Sequence, residues 1–276
     1  MPLGKGDEIK VSGSTGATDE RPFILVTGAM RSGTTLTGEL LYSRAYREQR
    51  HPLLSFDNDE GVATRQVLGR GRGPKRWMPD TASIVREIID LAPSAQMPQV
   101  LGAKVTHVLG GLDLLRHRFP HVLLVICVRD PVDIYRSHLV RTDKAPGEAL
   151  TICKAINAIE NLITTETDAM IIRYDDLISD PKAIVLRILQ AVGLDPEVYD
   201  WSALETGRVA SNSSFGPKRG WGFVQDAGIA PSSAVKDVSP LERVLVESSC
   251  EKTYLRHGFR LQTTPRERAL LRGILP

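Results

Sequence analysis

The sequence predicts an α/β fold in which a parallel sheet is flanked by helices. Apolar runs rich in β-branched residues alternate with segments of helical periodicity, as they do in strand-helix-strand units. The first apolar run leads through a glycine-containing loop into a helical pattern. The chain has 276 residues, of which 42% are hydrophobic, and this is enough to bury one large core. We therefore expect a single domain over residues 21–276, preceded by a disordered tail over residues 1–20.

The predicted strands are the most apolar segments of the chain, Phe23–Thr27, Val100–Val105, Val122–Val128 and Met170–Tyr174. Helices are predicted where apolar residues recur at helical spacing, over Thr81–Ala92 and Glu148–Thr165. Two more helices are expected where an Asp at the N-cap precedes a Pro at the first helical position, after Asp130 and after Asp180. A last helix is expected from about Pro240 to about Gly258.

Composition and charge exclude several classes of function. The 35 basic and 33 acidic residues leave a formal charge of +2, which gives no argument for a nucleic-acid or membrane partner. The longest apolar run, Val122–Val128, is far shorter than the roughly 20 residues that span a bilayer. Three cysteines without C-x-x-C spacing indicate a reducing compartment, and residues 1–20 lack the apolar segment of a secretory signal. We expect a cytoplasmic protein.

The loop after the first strand has the glycine spacing of a phosphate-binding P-loop. Residues 28–35 read G-A-M-R-S-G-T-T, and in such a loop backbone N–H groups and a helix N-terminus bind an anion. Position 34 is Thr where a nucleotide triphosphatase has a lysine, and a cation stands inside the loop at Arg31. This substitution indicates a phosphate-like anion bound by arginine and hydroxyl groups. No metal site is predicted, because the chain has no H-E-x-x-H, Cys/His cluster or EF-hand loop.

A second group of polar residues follows the most apolar strand. Arg129 stands at the strand end, and Ser137 and Arg141 follow eight and twelve residues later. Ligands bind at the carboxyl ends of parallel strands, where these side chains can converge on one phosphate through charge-assisted hydrogen bonds. Helix capping accounts for Asp130 and Pro131 but not for these three residues.

These segments together resemble the sulfotransferases that use 3′-phosphoadenosine 5′-phosphosulfate (PAPS) as donor. The R-S-G-T-T form is shared by the tyrosyl-protein and several bacterial enzymes, and the resemblance spans most of the chain. It includes Y-D-D-L from Tyr174, D-P at 180–181 and V-G-L at 192–194, in the family's order. The resemblance implies a single-domain, P-loop-like fold of the sulfotransferase type. It also implies in-line transfer of a sulfuryl group from PAPS to a hydroxyl acceptor, with release of adenosine 3′,5′-bisphosphate (PAP).

The resemblance implies roles for individual donor-binding residues. In the family, the anion loop binds the 5′-phosphosulfate, an Arg and a Ser hold the 3′-phosphate, a Tyr lies near the adenine, and a late loop closes over the donor. The matching residues of this chain are Arg31, Ser32, Gly33, Thr34, Thr35, Arg129, Ser137, Arg141, Tyr174, Ser213, Lys218 and Arg219.

The implied catalytic residues are Arg31 and Lys104, which stabilise charge on the sulfuryl group, together with a general base. The base is left open between two segments. Asp59 and Glu60 stand in an acidic run that resembles the segment of a catalytic Glu, although such a run is also typical of a solvated turn. His107 ends a K-V-T-H run in which the histidine comes one residue later than in the K-T-H of the cytosolic branch.

Two other functions stay open beside the sulfotransferase. A P-loop kinase or nucleotide triphosphatase shares the strand, loop and helix, but Thr34 counts against it. A non-catalytic nucleotide-binding or interaction protein is the other alternative. The sequence does not identify the acceptor, so a glycan, a lipid, a phenol and a peptide stay open. It does not determine the oligomeric state either. The basic loop 69–76 is either a mobile surface segment or a contact for an anionic acceptor.

Overall fold

The strands of the protein form one large parallel sheet and one short antiparallel pair. The computed structural model describes residues 18–41, 54–58, 81–91, 99–106, 110–139, 147–199, 201, 223–224, 228–229 and 237–272. The strands within these ranges are β1 (Phe23–Gly28), β2 (Leu54–Asn58), β3 (Val100–Lys104), β4 (Val122–Val128), β5 (Met170–Arg173), β6 (Phe223–Val224) and β7 (Gly228–Ile229). The first five pair in the order β2-β3-β1-β4-β5, all of them parallel, and β6 pairs with β7. The predicted α/β fold with a parallel sheet is therefore confirmed.

The central strand of the sheet is β1, with β3 on one side and β4 on the other. All residues of β1 and β3 are buried, as expected for a parallel sheet covered on both faces. The four predicted strands are found, although Tyr174, predicted to end a strand, begins a helix. The sequence does not predict β2 because this short segment contains Asp57 and Asn58, and these residue types are depleted in strands. Both pair in register with β3, so this part of the acidic run is strand and not turn.

The described helices include those that the periodicity predicts and two that it does not, over Leu112–Arg118 and Tyr174–Ser179. They are α1 (Thr34–Leu41), α2 (Thr81–Leu91), α3 (Leu112–Arg118), α4 (Pro131–Leu139), α5 (Glu148–Thr165), α6 (Tyr174–Ser179), α7 (Pro181–Ala191), α8 (Pro240–Ser249), α9 (Glu251–His257) and α10 (Pro265–Arg272), with a 3₁₀ turn at Pro196–Val198. The expected last helix is divided into α8 and α9, because Cys250 leaves the helical conformation with φ −112° and ψ 18°. A further helix, α10, follows.

Two clusters of buried apolar side chains lie against the sheet. Phe23 and Leu25 of β1 belong to one cluster, which includes residues of α2 to α5, α8 and α9. Ile24 and Val26 belong to the other, which includes residues of α1, α6 and α7. The alternation follows from the two-residue period of a strand. Each such side chain stabilises the fold by about 1.5–3 kcal/mol when fully buried, so β1 is anchored from both faces.

The described chain begins at residue 18 with a segment that is bound to the domain. The backbone N–H of Asp19 donates to the carbonyl oxygen of Arg118 (2.8 Å), and the Asp19 carboxylate pairs with Arg21. The hydrogen bond from Arg21 lowers the pKa of Asp19. Residues 1–17 of the expected tail lie outside the described residues. Among the helices that the structure describes, none has the length and apolar character needed to cross a membrane.

Candidate functional site

The anion loop, residues 28–33, joins the carboxyl end of β1 to α1. Two glycines in it are required by space as well as by conformation. Gly28 has φ 154°, and a Cβ there would lie 2.5 Å from the carbonyl oxygen of Cys127. Gly33 has φ 106°, and a Cβ there would lie 2.8 Å from the ring of Tyr174. The two glycines therefore let the loop pack directly against β4 and α6.

Arg31 has a left-handed backbone conformation, with φ 72°. This conformation is uncommon for a residue with a side chain and is often found at functional sites. The Nε group of Arg31 donates to Ser137 Oγ on α4 (3.0 Å). The anion loop is thus connected to the helix that follows β4, across a separation of 106 residues.

Arg129 lies at the end of β4 and contacts the same loop. Its Nη1 donates to the carbonyl oxygen of Arg31 (3.4 Å), and its guanidinium carbon lies 4.1 Å from the centroid of the Tyr174 ring. Such a stacked cation stabilises by about 0.5–1 kcal/mol, or more when it is desolvated. In the described part of the chain, no carboxylate forms an ion pair with Arg129, so its charge is left for an anionic ligand.

Tyr174 is the first residue of α6, and only 7% of it is exposed. Burial raises the pKa of its hydroxyl, although the charges of Arg129 and Arg31 act in the opposite direction. The phenol is therefore neutral at physiological pH. The structure brings Arg31, Arg129, Ser137 and Tyr174 together, four residues that come from four separate segments of the sequence.

The helix that carries Ser137 is held at its N-terminus by Asp130. The Asp130 carboxylate accepts hydrogen bonds from Val132 N–H (2.8 Å) and Asp133 N–H (3.2 Å), which confirms the predicted cap. The hydroxyl of Tyr254 on α9 also donates to it (3.1 Å). Burial raises the pKa of Asp130, and the charge of Asp133 raises it further.

A second contact joins α4 to the C-terminal helices. The Tyr135 hydroxyl donates to Glu242 Oε1 on α8 (2.7 Å), and the other carboxylate oxygen of Glu242 accepts from the backbone N–H of Ser239 in a capping box (2.9 Å). Sequence reasoning missed both Tyr254 and Glu242, whose hydrogen bonds hold α4 in place. A capping box over residues 239–242 is visible in the sequence, but no local pattern indicates its partner on α4.

Lys104 is the last residue of β3, and only 3% of it is exposed. Its ammonium group donates to Thr106 Oγ1 (3.5 Å). In the sheet it pairs with Val26 of β1 on one side and Asn58 of β2 on the other. Lys104 therefore lies at the same carboxyl edge of the sheet as the start of the anion loop.

Thr34 and Thr35 are the first two residues of α1, and Thr34 is buried. Sequence reasoning missed Thr37, whose hydroxyl donates to the carbonyl oxygen of Gly33 (3.2 Å) and lies 3.2 Å from Cys127 Sγ. Burial raises the pKa of that thiol to about 12, so Cys127 is a neutral packing residue. The remaining predicted site residues lie outside the described residues: Asp59, Glu60, His107, Arg141, Ser213, Lys218 and Arg219.

The donor set suits an oxyanion better than a metal ion. Arg31, Arg129, Ser137 and the loop amides offer hydrogen-bond donors. Within the described ranges, no group of three or more His, Cys, Asp or Glu side chains is placed to hold a metal ion. The arrangement can therefore bind a phosphate or a sulfate ester at the sheet edge.

Comparison with known proteins gives a family match over most of the chain. The model of the Sulfotransferase family matches residues 22–198, a range that includes every described residue of the site except those on α8 and α9. No curated protein sequence matches the chain significantly.

Three solved structures are similar to this chain at low sequence identity. The sulfotransferase domain of the olefin synthase from Synechococcus PCC 7002 is 15% identical with a TM-score of 0.52, and the match covers 89% of this chain and 97% of that chain. This likeness shows a shared fold. The sulfotransferase STF1 from Mycobacterium tuberculosis is 16% identical with a TM-score of 0.36, and the match covers 65% and 68% of the two chains. Shikimate kinase from Bacteroides thetaiotaomicron is 16% identical with a TM-score of 0.41, and the match covers 63% and 99%. The TM-scores of the last two structures are too low to establish a shared fold.

Proposed function

The chain belongs to the sulfotransferase family, and from this premise we propose that it transfers a sulfuryl group from PAPS to a hydroxyl acceptor, releasing PAP. The observation that carries the proposal is the meeting of Arg31, Arg129, Ser137 and Tyr174 at the carboxyl edge of the sheet. Arginines and a hydroxyl around a glycine-containing loop are the donors that a doubly charged phosphate ester requires.

We propose that Arg129 and Ser137 hold the 3′-phosphate of the donor. Arg129 supports this role because its guanidinium is stacked on Tyr174 and has no ion pair with a described carboxylate. A stacked, preorganised guanidinium loses little freedom when it binds a phosphate. Tyr174 is proposed to lie near the adenine, and Arg141 to add a further positive charge.

We propose that the anion loop, which includes Ser32, binds the 5′-phosphosulfate through its backbone amides and the hydroxyls of Thr34 and Thr35. Gly33 lets the loop pack against Tyr174, and Ser213, Lys218 and Arg219 are proposed to close over the donor. The hydrogen bonds of Arg31 and Arg129 hold the loop in one conformation. Both guanidinium groups are therefore positioned before a donor binds.

The proposed reaction breaks the bond from sulfur to the bridging phosphate oxygen and forms one from sulfur to the acceptor oxygen. Arg31 and Lys104 stabilise the charge that is spread over the sulfuryl and leaving oxygens. The acceptor proton passes to a general base, which we propose is Asp59, Glu60 or His107. The burial of Lys104 at the sheet edge supports its role, because charge interactions are stronger where water is excluded.

We also propose that residues 21–276 form one domain preceded by a tail, and that the protein works in the cytoplasm. The three cysteines, Cys127, Cys153 and Cys250, are free thiols and are all buried, which suits a reducing compartment.

Calorimetry with three nucleotides tests the donor site. We expect PAP to bind about 10- to 150-fold more tightly than AMP, because AMP lacks the 3′-phosphate that forms charged hydrogen bonds. ATP with magnesium is the control for a kinase or nucleotide triphosphatase. Tight binding of ATP with magnesium and no binding of PAP would overturn the proposal.

Incubation with radiolabelled PAPS tests the reaction. Phenols, glycans, lipids and tyrosine peptides are offered separately, and we expect the label to move to one of these classes. Tight PAP binding without transfer to any of them would instead favour a non-catalytic nucleotide-binding protein.

A further inference from the structure

A small cavity lies between the anion loop, the end of β4, α5 and α9. Its volume is about 10 Å³. Its polar lining consists of Ser32, Arg129, Glu160 and Thr253, and the rest of its lining is apolar apart from a cysteine. The cavity therefore adjoins two residues of the donor site on one side and the C-terminal helices on the other.

Two polar atoms around this cavity, Ser32 Oγ and Arg129 Nε, are buried and have no hydrogen-bond partner among the described residues. Ser32 is 0% exposed and Thr253 is 3% exposed. The Thr253 hydroxyl hydrogen-bonds to Glu160, which lowers the pKa of that carboxyl, and its oxygen can accept a further hydrogen bond. A buried donor or acceptor without a partner costs about 1–3 kcal/mol, so two of them at one cavity indicate a missing polar partner.

The fourth polar residue, Glu160, already has its partners. Its carboxylate pairs with Arg256 and with His257 Nε2 (3.1 Å), both on α9. Burial opposes its ionisation, but the hydrogen bond and charge of His257 hold the pKa of Glu160 below its usual value. These ion pairs fix α9 against α5, so Thr253 is held rigidly at the cavity wall.

The size and charge of the cavity select the occupant. A volume of roughly 10–15 Å³ is what one water molecule requires, with two to four polar partners. The positive charge of Arg129 disfavours a metal cation, and a polyatomic anion is larger than the space. Water accepts a hydrogen bond from Arg129 Nε and exchanges hydrogen bonds with two hydroxyl groups.

We propose that the cavity holds one ordered water molecule that joins Ser32 and Arg129 to Thr253. Thr253 is then a positioning residue for the donor site, although it lies outside the range of the family match. Its effect on PAP binding rests on the proposed function, whereas the water molecule itself does not. The water holds the loop hydroxyl and the Arg129 guanidinium in place before the donor binds.

A high-resolution crystal structure tests the water directly. We expect electron density for one water within hydrogen-bond distance of Ser32 Oγ, Arg129 Nε and Thr253 Oγ1. An empty cavity, or side chains that bond each other directly, would overturn the proposal. This result does not depend on PAP, so it separates failure of this inference from failure of the proposed function.

A matched pair of variants tests the positioning role. Thr253→Val keeps the shape and removes the hydroxyl, and we expect it to weaken PAP binding about 3- to 10-fold, the scale of one hydrogen bond. Thr253→Ser keeps the hydroxyl and should bind PAP within about twofold of wild type. Equal PAP affinities of the Val and Ser variants would overturn the role of Thr253.

Thr263→Val is the control for a general loss of structure in the C-terminal helices. Thr263 donates to Glu247 Oε2 (2.5 Å) and does not line the cavity. We expect it to lower the thermal stability while leaving PAP affinity unchanged. If Thr263→Val weakens PAP binding as much as Thr253→Val does, the effect is structural and the positioning role is wrong.

Discussion

Two of the α-helices that the structure describes begin with the same dipeptide, Asp-Pro, and only one of them belongs to the site. Asp180 is exposed and caps α7 by accepting a hydrogen bond from Ala183 N–H (2.9 Å). Asp130 is half-buried and caps α4 by accepting from Val132 N–H (2.8 Å). Asp130 also accepts hydrogen bonds from Asp133 N–H (3.2 Å) and from the Tyr254 hydroxyl (3.1 Å), and Tyr254 comes from a distant helix.

The residues that precede the two caps explain the difference. Arg129 precedes Asp130 at the carboxyl end of β4, where parallel sheets bind ligands. Ser179 precedes Asp180 at the end of a helix, α6, and not at the end of a strand. The same local signal therefore starts a helix in both places, and only its position in the sheet makes one of them part of a site.

The largest expected effect is the difference in stability between the two capping variants. Asp130→Ala removes a cap and leaves the buried Tyr254 hydroxyl without its acceptor, so we expect the free energy of unfolding to fall by about 2–4 kcal/mol. Asp180→Ala removes only a cap and should cost about 1 kcal/mol. Urea denaturation measures both, and equal losses would contradict the distinction between the two helix starts.

The next largest effect distinguishes Arg129, which is beside the Asp130 cap, from Lys182, which is beside the Asp180 cap. Arg129 stacks on Tyr174, and Lys182 lies 5.1 Å from the centroid of the Trp201 ring beside the other cap. We expect Arg129→Ala to weaken PAP binding by about 1.5–3 kcal/mol, or about 10- to 150-fold, because a charged hydrogen bond to phosphate is lost. Lys182→Ala should leave PAP affinity unchanged in the same calorimetric titration. Unchanged PAP affinity of Arg129→Ala would count against the donor site.

A smaller effect tests the contact that only Asp130 has. Tyr254→Phe removes one hydroxyl, and we expect a loss of about 1 kcal/mol in the free energy of unfolding. In a double-mutant cycle with Asp130→Ala, which removes the acceptor, the two losses should differ from additivity by at least about 0.5 kcal/mol, because the side chains are in contact. Additive losses would show that the hydrogen bond does not contribute to stability.

The smallest effect is a change in the pH dependence of stability. Burial raises the pKa of Asp130 in the folded protein above the unfolded value. Its favourable contribution is therefore complete below the unfolded pKa and is lost as the pH rises through the folded pKa. Asp130→Asn keeps a capping side chain without this titration. Urea unfolding from pH 3 to pH 7 should show the variant gaining stability relative to wild type as the pH rises, and a constant difference would contradict the shift.

The parts of the site that are local in sequence were predictable. The spacing of Gly28 and Gly33 encodes a backbone requirement, and the structure shows that a Cβ at either position would overlap a neighbour. Arg129 and Ser137 were indicated by their place after an apolar strand, and the structure brings them to the loop. The Asp-Pro helix starts were predictable because capping involves only neighbouring residues.

The parts that depend on distant contacts were not predictable. The strand β2 was missed because its residue types do not favour a strand, and pairing with β3 determines it. The helix break at Cys250 was not predicted either. The hydrogen bonds from Tyr254 to Asp130 and from Tyr135 to Glu242 join residues that are far apart in sequence. No periodicity reports such contacts. The general base stays a prediction, because Asp59, Glu60 and His107 lie outside the described residues.

The central position of β1 has a consequence for the order in which the protein is made. β1 precedes the other described strands in the chain, yet Phe23 pairs with Leu101 on one side and Val122 on the other. A nascent chain that ends before β4 has no partner for one edge of β1 and no wall for the anion loop at Cys127. Pairings of this range form slowly, because a long loop must close before they stabilise the chain. Tyr254 comes later still, so its hydrogen bond to Asp130 forms only after residue 254 has been synthesised.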